Sequence, residues 1–185
     1  MTKLLLCSAS PRRRELLERL GVRFSLAPAH IDERRTDGEP AMAYALRMAK
    51  EKASACARPG VVALAADTVV VVGEEVLGKP RDRSDAERML RKLSGIEHKV
   101  ITAVCVPPQI RAVETAVRFA PLSDAQVRWL ASSGDGDDKA GAYAVQGLAG
   151  AFVERIDGSF TNVVGLPLVE TLQMLASAGV ELPWT

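Results

Sequence analysis

The sequence has no surplus of charge of either sign. Its 24 Lys and Arg stand against 23 Asp and Glu, leaving a formal net charge of +1 over 185 residues. That balance excludes the general basic excess of many nucleic-acid binders, so any attraction to phosphate has to come from local clusters of arginine and lysine. Cysteine is scarce as well. Cys7, Cys56 and Cys105 are odd in number and far apart. Neither they nor His30 and His98 fall at zinc-ligand spacing, and a reducing cytosol is their simplest setting. Long apolar runs are also missing, since nothing approaches the roughly 20 residues of a membrane helix. The amino-terminal run Leu4-Leu5-Leu6-Cys7 meets Pro11 and three arginines too soon for a secretory core. A soluble cytoplasmic protein is expected, with neither a membrane nor a nucleic acid as partner. With 48% hydrophobic residues and no repeat or linker-like stretch, the chain is expected to form one domain, residues 1–185, with a substantial core.

What is present begins with a strand, Lys3 to Cys7, that leads into a helix. Ser10 reads as its N-cap and Pro11 as its first residue, with an inward stripe of Leu16, Leu17 and Leu20 and a stop at Gly21. Arg12, Arg13 and Arg14 crowd the first turn. Cations there oppose the helix macrodipole, whereas a bound anion would be favoured by the free backbone N–H groups and the arginines together. A strand around Arg23 to Ala27 is followed by a polar stretch from Ala29 to Glu39 that contains Ile31-Asp32-Glu33, and then by a helix from Pro40 to about Arg58.

Val61 to Val72 is nearly continuous β-former, the pattern of a central strand covered on both faces, and Asp67-Thr68 interrupts it. Glu75 to Leu77 returns after a turn at Gly73-Glu74, and Gly78-Lys79-Pro80 exits into a loop. Ser84-Asp85-Ala86-Glu87 has the form of a capping box opening a helix that ends near Gly95. His98 to Val106 and Gln109 to Ala120 read as a long hairpin, and Ser123-Asp124-Ala125-Gln126 caps a further helix reaching about Ser133. An acidic loop, a glycine-rich segment with a turn at Asp157-Gly158, and a last helix between Pro167 and Gly179 complete the chain. The fold expected is α/β, a mixed central β-sheet flanked by helices and bent into two lobes with a cleft.

Gly73-Glu-Glu-Val-Leu-Gly78-Lys79-Pro80 nearly matches the phosphate loop of P-loop NTPases, but proline has neither the hydroxyl needed for magnesium nor an N–H for the phosphate cradle. Asp67 carries the strongest chemical signal. A carboxylate inside an apolar strand is expensive to bury, so it is either satisfied by backbone donors or a salt bridge, or it serves as a metal ligand or base. Glu33 alone reads as a solvated loop acid and alternatively as a second carboxylate for magnesium. Lys52 and Lys139 read equally as solvated lysines or as phosphate contacts.

Ser8-Ala9-Ser10-Pro11-Arg12-Arg13, Ala65-Ala66-Asp67-Thr68-Val69-Val70, Leu77-Gly78-Lys79-Pro80 and Asp138-Lys139-Ala140-Gly141-Ala142-Tyr143 with Gln146-Gly147 together resemble the Maf family. So does the stretch from Gly158-Ser159 through Val163-Val164-Gly165-Leu166-Pro167-Leu168, and the blocks cover nearly the whole chain. The resemblance implies a nucleoside triphosphate pyrophosphatase on the fold shared with inosine triphosphate pyrophosphatases, using a divalent cation, Mg2+ or Mn2+. Asp67-Thr68 and Gln146 look like the branch acting on dTTP and UTP. In that resemblance Asp67 is the proton acceptor, Arg12, Thr68 and Gln146 select the base, and Glu33 and Lys79 match functional positions. A mechanism that uses these residues is expected to have Asp67 and Glu33 hold the metal, Lys79 and Arg13 neutralise phosphate charge, and Ser8 and Ser10 donate to phosphate oxygens. The alternatives are the same reaction on CTP or 7-methyl-GTP, or a non-catalytic regulator of cell division, since the branch includes members described through division arrest. A homodimer is the assembly the resemblance suggests. Gly134-Asp135-Gly136-Asp137 departs from the family pattern, and a looser loop is expected there.

Overall fold

A computed structural model describes residues 3–184. Seven strands and six α-helices follow one another as β1 (Lys3–Leu6), α1 (Pro11–Arg19), β2 (Ser25–Leu26), α2 (Ala41–Ala55), β3 (Val61–Val72), β4 (Glu75–Leu77), α3 (Arg83–Leu93), β5 (Glu97–Val106), β6 (Gln109–Phe119), α4 (Asp124–Ser132), β7 (Val153–Asp157), α5 (Phe160–Val164) and α6 (Leu168–Ser177). The sheet runs β2-β1-β3-β5-β6-β7, with β4 paired to β3. It is mixed: β1 lies parallel to both β2 and β3, while β3–β4 and β6–β7 are antiparallel. The α/β expectation holds. α1 and α2 return the chain for the parallel pairings, a two-residue turn joins antiparallel β3 and β4, and β6 reaches its antiparallel partner β7 only after α4.

The chain divides into two compact units, and the three long strands change unit at Asp67/Thr68, Ile101/Thr102 and Val113/Glu114. The first unit comprises the chain up to Asp67, Thr102–Val113, and the chain from Gly165. Its buried side chains include Leu6, Leu17, Met48, Leu64, Met174 and Leu175. Here α1 obeys its sequence signals: Ser10 is the N-cap, Pro11 opens the helix, Leu20 is the C-cap, and Gly21 takes the left-handed conformation at φ 71°. The buried stripe is Leu16 and Leu17 only, because the helix ends at Arg19. β2 forms over two residues rather than five, the stretch that finds register with Leu5 and Leu6.

The second unit, Thr68–Ile101 with Glu114–Val164, closes around Leu77, Leu90, Leu93, Val117, Phe119, Val127 and Leu130. Ser123 and Gln126 make the expected capping box of α4. At α3 the cap lies two residues upstream of Ser84, because the Asp82 carboxylate accepts the Asp85 N–H at 2.8 Å. Asp85 is thereby freed to pair with Arg81 and Arg88.

The acidic loop after α4 is packed tightly rather than loose. The Asp135 carboxylate accepts the Leu148 N–H at 3.0 Å. Gly136 lies so close to Ala142 that a Cβ would stand 2.0 Å from its carbonyl oxygen. Among the described residues the three cysteines are free thiols, all buried, and no helix is long and apolar enough to cross a membrane.

Candidate active site

β1 delivers its last residues to the start of α1. Cys7 N–H still bonds to Leu64 at 2.8 Å, so the chain leaves the sheet at Ser8. The Ser8 hydroxyl is buried and accepts from the Ser10 N–H at 3.2 Å and from Arg13 Nη1 at 3.1 Å. Arg13 Nε donates to the Gly165 carbonyl at 2.7 Å. The guanidinium is therefore aimed back over the first turn of its own helix. Burial lowers its pKa, with Asp67 and Glu33 pulling the other way and Arg12 adding to the lowering. Arg13 remains a fixed positive charge at neutral pH.

Asp67 ends the part of β3 that belongs to this unit, and it is buried as the sequence requires of a strand covered on both faces. Its Oδ1 lies 2.7 Å from Lys52 Nζ, and the same ammonium lies 2.9 Å from Glu33 Oε1. Burial raises the Asp67 pKa, while Lys52 and then Arg13 lower it. Lys52 is thus the structural partner of Asp67, a residue for which the sequence left solvation and phosphate contact equally open. A signal for it exists. Lys52 falls on the buried stripe of α2 with Ala45, Met48, Ala49 and Ala53, where a lysine needs a paired acid. Tyr44, on the same helix, donates its hydroxyl to the Glu33 carbonyl at 2.7 Å. Burial, then Asp67 and Glu33, push its pKa up to about 12 and keep it a donor.

Ser8, Ser10, Arg13, Glu33 and Asp67 are therefore brought into one linked cluster, to which Lys52 and Tyr44 are added. Arg12 sits beside Arg13 in the first turn of α1. Thr68, Lys79 and Gln146 belong to the second unit. There the segment carrying Lys79 is tied to a 3-10 turn, Ala140–Ala142, by Gly141 N–H donating to the Gly78 carbonyl at 3.0 Å. Gly141 has φ 72° and packs against Val70, so a side chain at 141 would strain the backbone and press on Val70. Gln146 is exposed a few residues on, after Tyr143, whose hydroxyl is 2.7 Å from His98 Nε2. Lys139 pairs with Asp138.

As a donor set for a metal, Glu33 and Asp67 present two hard carboxylates converging on one cation, the Lys52 ammonium. Among the described residues no group of three or more His, Cys, Asp or Glu could hold a metal ion. That fits Mg2+ held by one or two carboxylates and completed by substrate phosphates and water, and it does not fit an all-protein cage.

A mixed α/β sheet with a buried carboxylate beside an arginine-rich helix start is the setting of a phosphoryl-handling protein. Comparison with known proteins narrows this. The sequence matches the family described as Maf-like protein over residues 3–178. It is 55% identical over 190 residues to a dTTP/UTP pyrophosphatase of Anaeromyxobacter dehalogenans, covering 98% of this chain and 97% of the relative. A dTTP/UTP pyrophosphatase of Myxococcus xanthus is 50% identical over 188 residues, with 99% and 96% covered. The chain belongs to the Maf family.

Proposed function

We propose that this protein is a nucleoside triphosphate pyrophosphatase that hydrolyses dTTP and UTP to the nucleoside monophosphate and pyrophosphate. The reading is supported by near-full-length identity to relatives bearing that name. The observation that carries it in this chain is Asp67, a buried carboxylate paired with Lys52, attracted by Arg13 and repelled by the like charge of Glu33. Burial raises its pKa and so strengthens it as a proton acceptor, while Lys52 and Arg13 pull the other way.

In the reaction, a water oxygen attacks the α-phosphorus and its proton passes to Asp67. The bond from the α-phosphorus to the bridging oxygen breaks, and pyrophosphate leaves with the electron pair. Ser8, Ser10 and the N-terminal N–H groups of α1 donate to phosphate oxygens, and Arg13 and Lys79 neutralise their charge. Glu33 and Asp67 would hold a divalent cation, which would supply further neutralisation of the phosphates and polarise oxygen. Thr68 and Gln146, with Arg12, would read the base, whose two carbonyls and one N–H match an amide and a guanidinium. A homodimer and a cytoplasmic location belong to the same reading, and three unpaired thiols suit a reducing compartment.

The test is Asp67→Asn. Turnover per folded molecule should fall on the order of a hundredfold or more, the scale for losing a positioned base. Stability is a poor discriminator here, because Asn relieves a burial penalty while leaving Lys52 with Glu33 alone. A folded Asn variant with full turnover would remove Asp67 from catalysis.

A further inference from the structure

Glu33 lies in a stretch with neither helix nor strand between β2 and α2, and its carboxylate is half exposed. Helix α2 grips the stretch at several places. Tyr44 Oη donates to the Glu33 carbonyl at 2.7 Å, and Arg47 Nη2 donates to the Arg34 carbonyl at 3.1 Å. The Arg47 fork also takes both oxygens of Glu39, Nε to Oε1 at 2.8 Å and Nη2 to Oε2 at 2.8 Å. Glu39 in turn closes the stretch on itself, accepting the Thr36 N–H at 3.2 Å on its carboxylate and Arg35 Nε at 2.8 Å on its carbonyl. Tyr44 and Arg47 are three residues apart on one helix face, with the guanidinium 5.5 Å from the phenol ring. Two turns further along the same helix, Lys52 meets the Glu33 carboxylate itself.

We infer that Tyr44 and Arg47 are positioning residues, a clasp on α2 that sets the Glu33 carboxylate opposite Asp67. The inference rests on the pyrophosphatase reading for the use to which Glu33 is put. One helix supplies the Lys52 cation that both acids share, the hydroxyl that holds the Glu33 main chain, and the guanidinium fork that holds the stretch carrying it. The distance between the two acids is then set by the rigid rise of α2 and not by a free loop. A bidentate arginine grip adds geometric definition that a lysine lacks, and a small displacement of a reacting group is enough to lose rate.

The test uses the full chain with three variants, Tyr44→Phe, Arg47→Lys and Arg47→Ala, read in three ways. These are steady-state pyrophosphate release from UTP, binding of Mn2+ alone followed by the electron paramagnetic resonance of the free ion, and melting temperature. Tyr44→Phe removes one oxygen and keeps the ring. It should hold its melting temperature within about 2 °C, lower kcat about tenfold with the KM for UTP within about twofold, and weaken Mn2+ binding about threefold. Arg47→Ala should act in the same direction more strongly, with Arg47→Lys between it and wild type. Unchanged kcat and Mn2+ affinity in a folded Tyr44→Phe variant would overturn the clasp, and so would a loss of activity that only follows the fraction folded. Should the wild-type chain release no pyrophosphate, the functional reading falls, and the Mn2+ titration still decides the clasp.

Discussion

His98 is a buried histidine that makes the second unit sensitive to acid. Its ring is 2% exposed, stacks on Phe119 with centroids 5.6 Å apart, and meets the Tyr143 hydroxyl through Nε2 at 2.7 Å. Its Nδ1 is buried without a hydrogen-bond partner among the described residues. Burial lowers its pKa from 6.5 to about 4. The sign follows from proton counting. Between those values the unfolded chain holds a proton that the folded chain does not, so stability is full above the unfolded pKa and is lost as pH falls through the window. Each pH unit in the window is worth about 1.4 kcal/mol, so this one group removes roughly 2 kcal/mol between pH 7.5 and pH 5.0.

The comparison that isolates it is wild type against His98→Gln. Glutamine still offers a hydrogen-bonding group to Tyr143 and does not titrate. Its lost ring packing lowers stability equally at both pH values, and other titrations cancel in the difference. Urea unfolding at the two pH values should show the wild type losing about 2 kcal/mol more than the variant. Parallel losses in the two proteins would refute the neutral, buried state of His98.

Two further outcomes follow from the loop beside it. Gly136→Ala drives a Cβ against the Ala142 carbonyl, a backbone atom that cannot swing away, and should cost at least about 2 kcal/mol. Its melting temperature should drop roughly 4–8 °C; a variant melting with wild type would show the contact to be relieved cheaply. Gln146→Glu replaces an amide that can donate to a base carbonyl with an acid that cannot, on an exposed position where the fold is indifferent. The ratio of UTP to ATP efficiency should fall while melting is unchanged, and an unchanged ratio would take Gln146 out of base selection.

The parts of the molecule legible in the sequence are those where one local rule decides. β3 was legible over its whole length because a strand buried on both faces is uniformly apolar, and Asp67 stood out against that background for the same reason. Ser10 and Pro11 marked the start of α1 through local capping chemistry. Where two residues compete for one role, the sequence misleads. Asp82 and Ser84 both suit a cap, and the winner is the one that leaves Asp85 to its arginines. The surroundings of Glu33 were illegible for a deeper reason: no periodicity exists in a stretch whose course is set by side chains from α2. Lys52 was visible only through helical phase, as a charge on a buried stripe. The acidic loop was expected to be loose because it departs from the family pattern, but Gly136 permits a close backbone approach to Ala142 and so marks close packing.

Cleavage of pyrimidine nucleoside triphosphates between the α and β phosphates can be read from a nucleotide panel. Purified protein with Mg2+ or Mn2+ is given UTP, dTTP, CTP, 7-methyl-GTP or ATP in turn, and monophosphate and pyrophosphate are quantified together. The two products should appear in equal amounts, with kcat/KM for UTP and dTTP at least about tenfold above that for ATP, roughly 1.4 kcal/mol of discrimination. Comparable efficiency on every base, or no pyrophosphate from any of them, would contradict it.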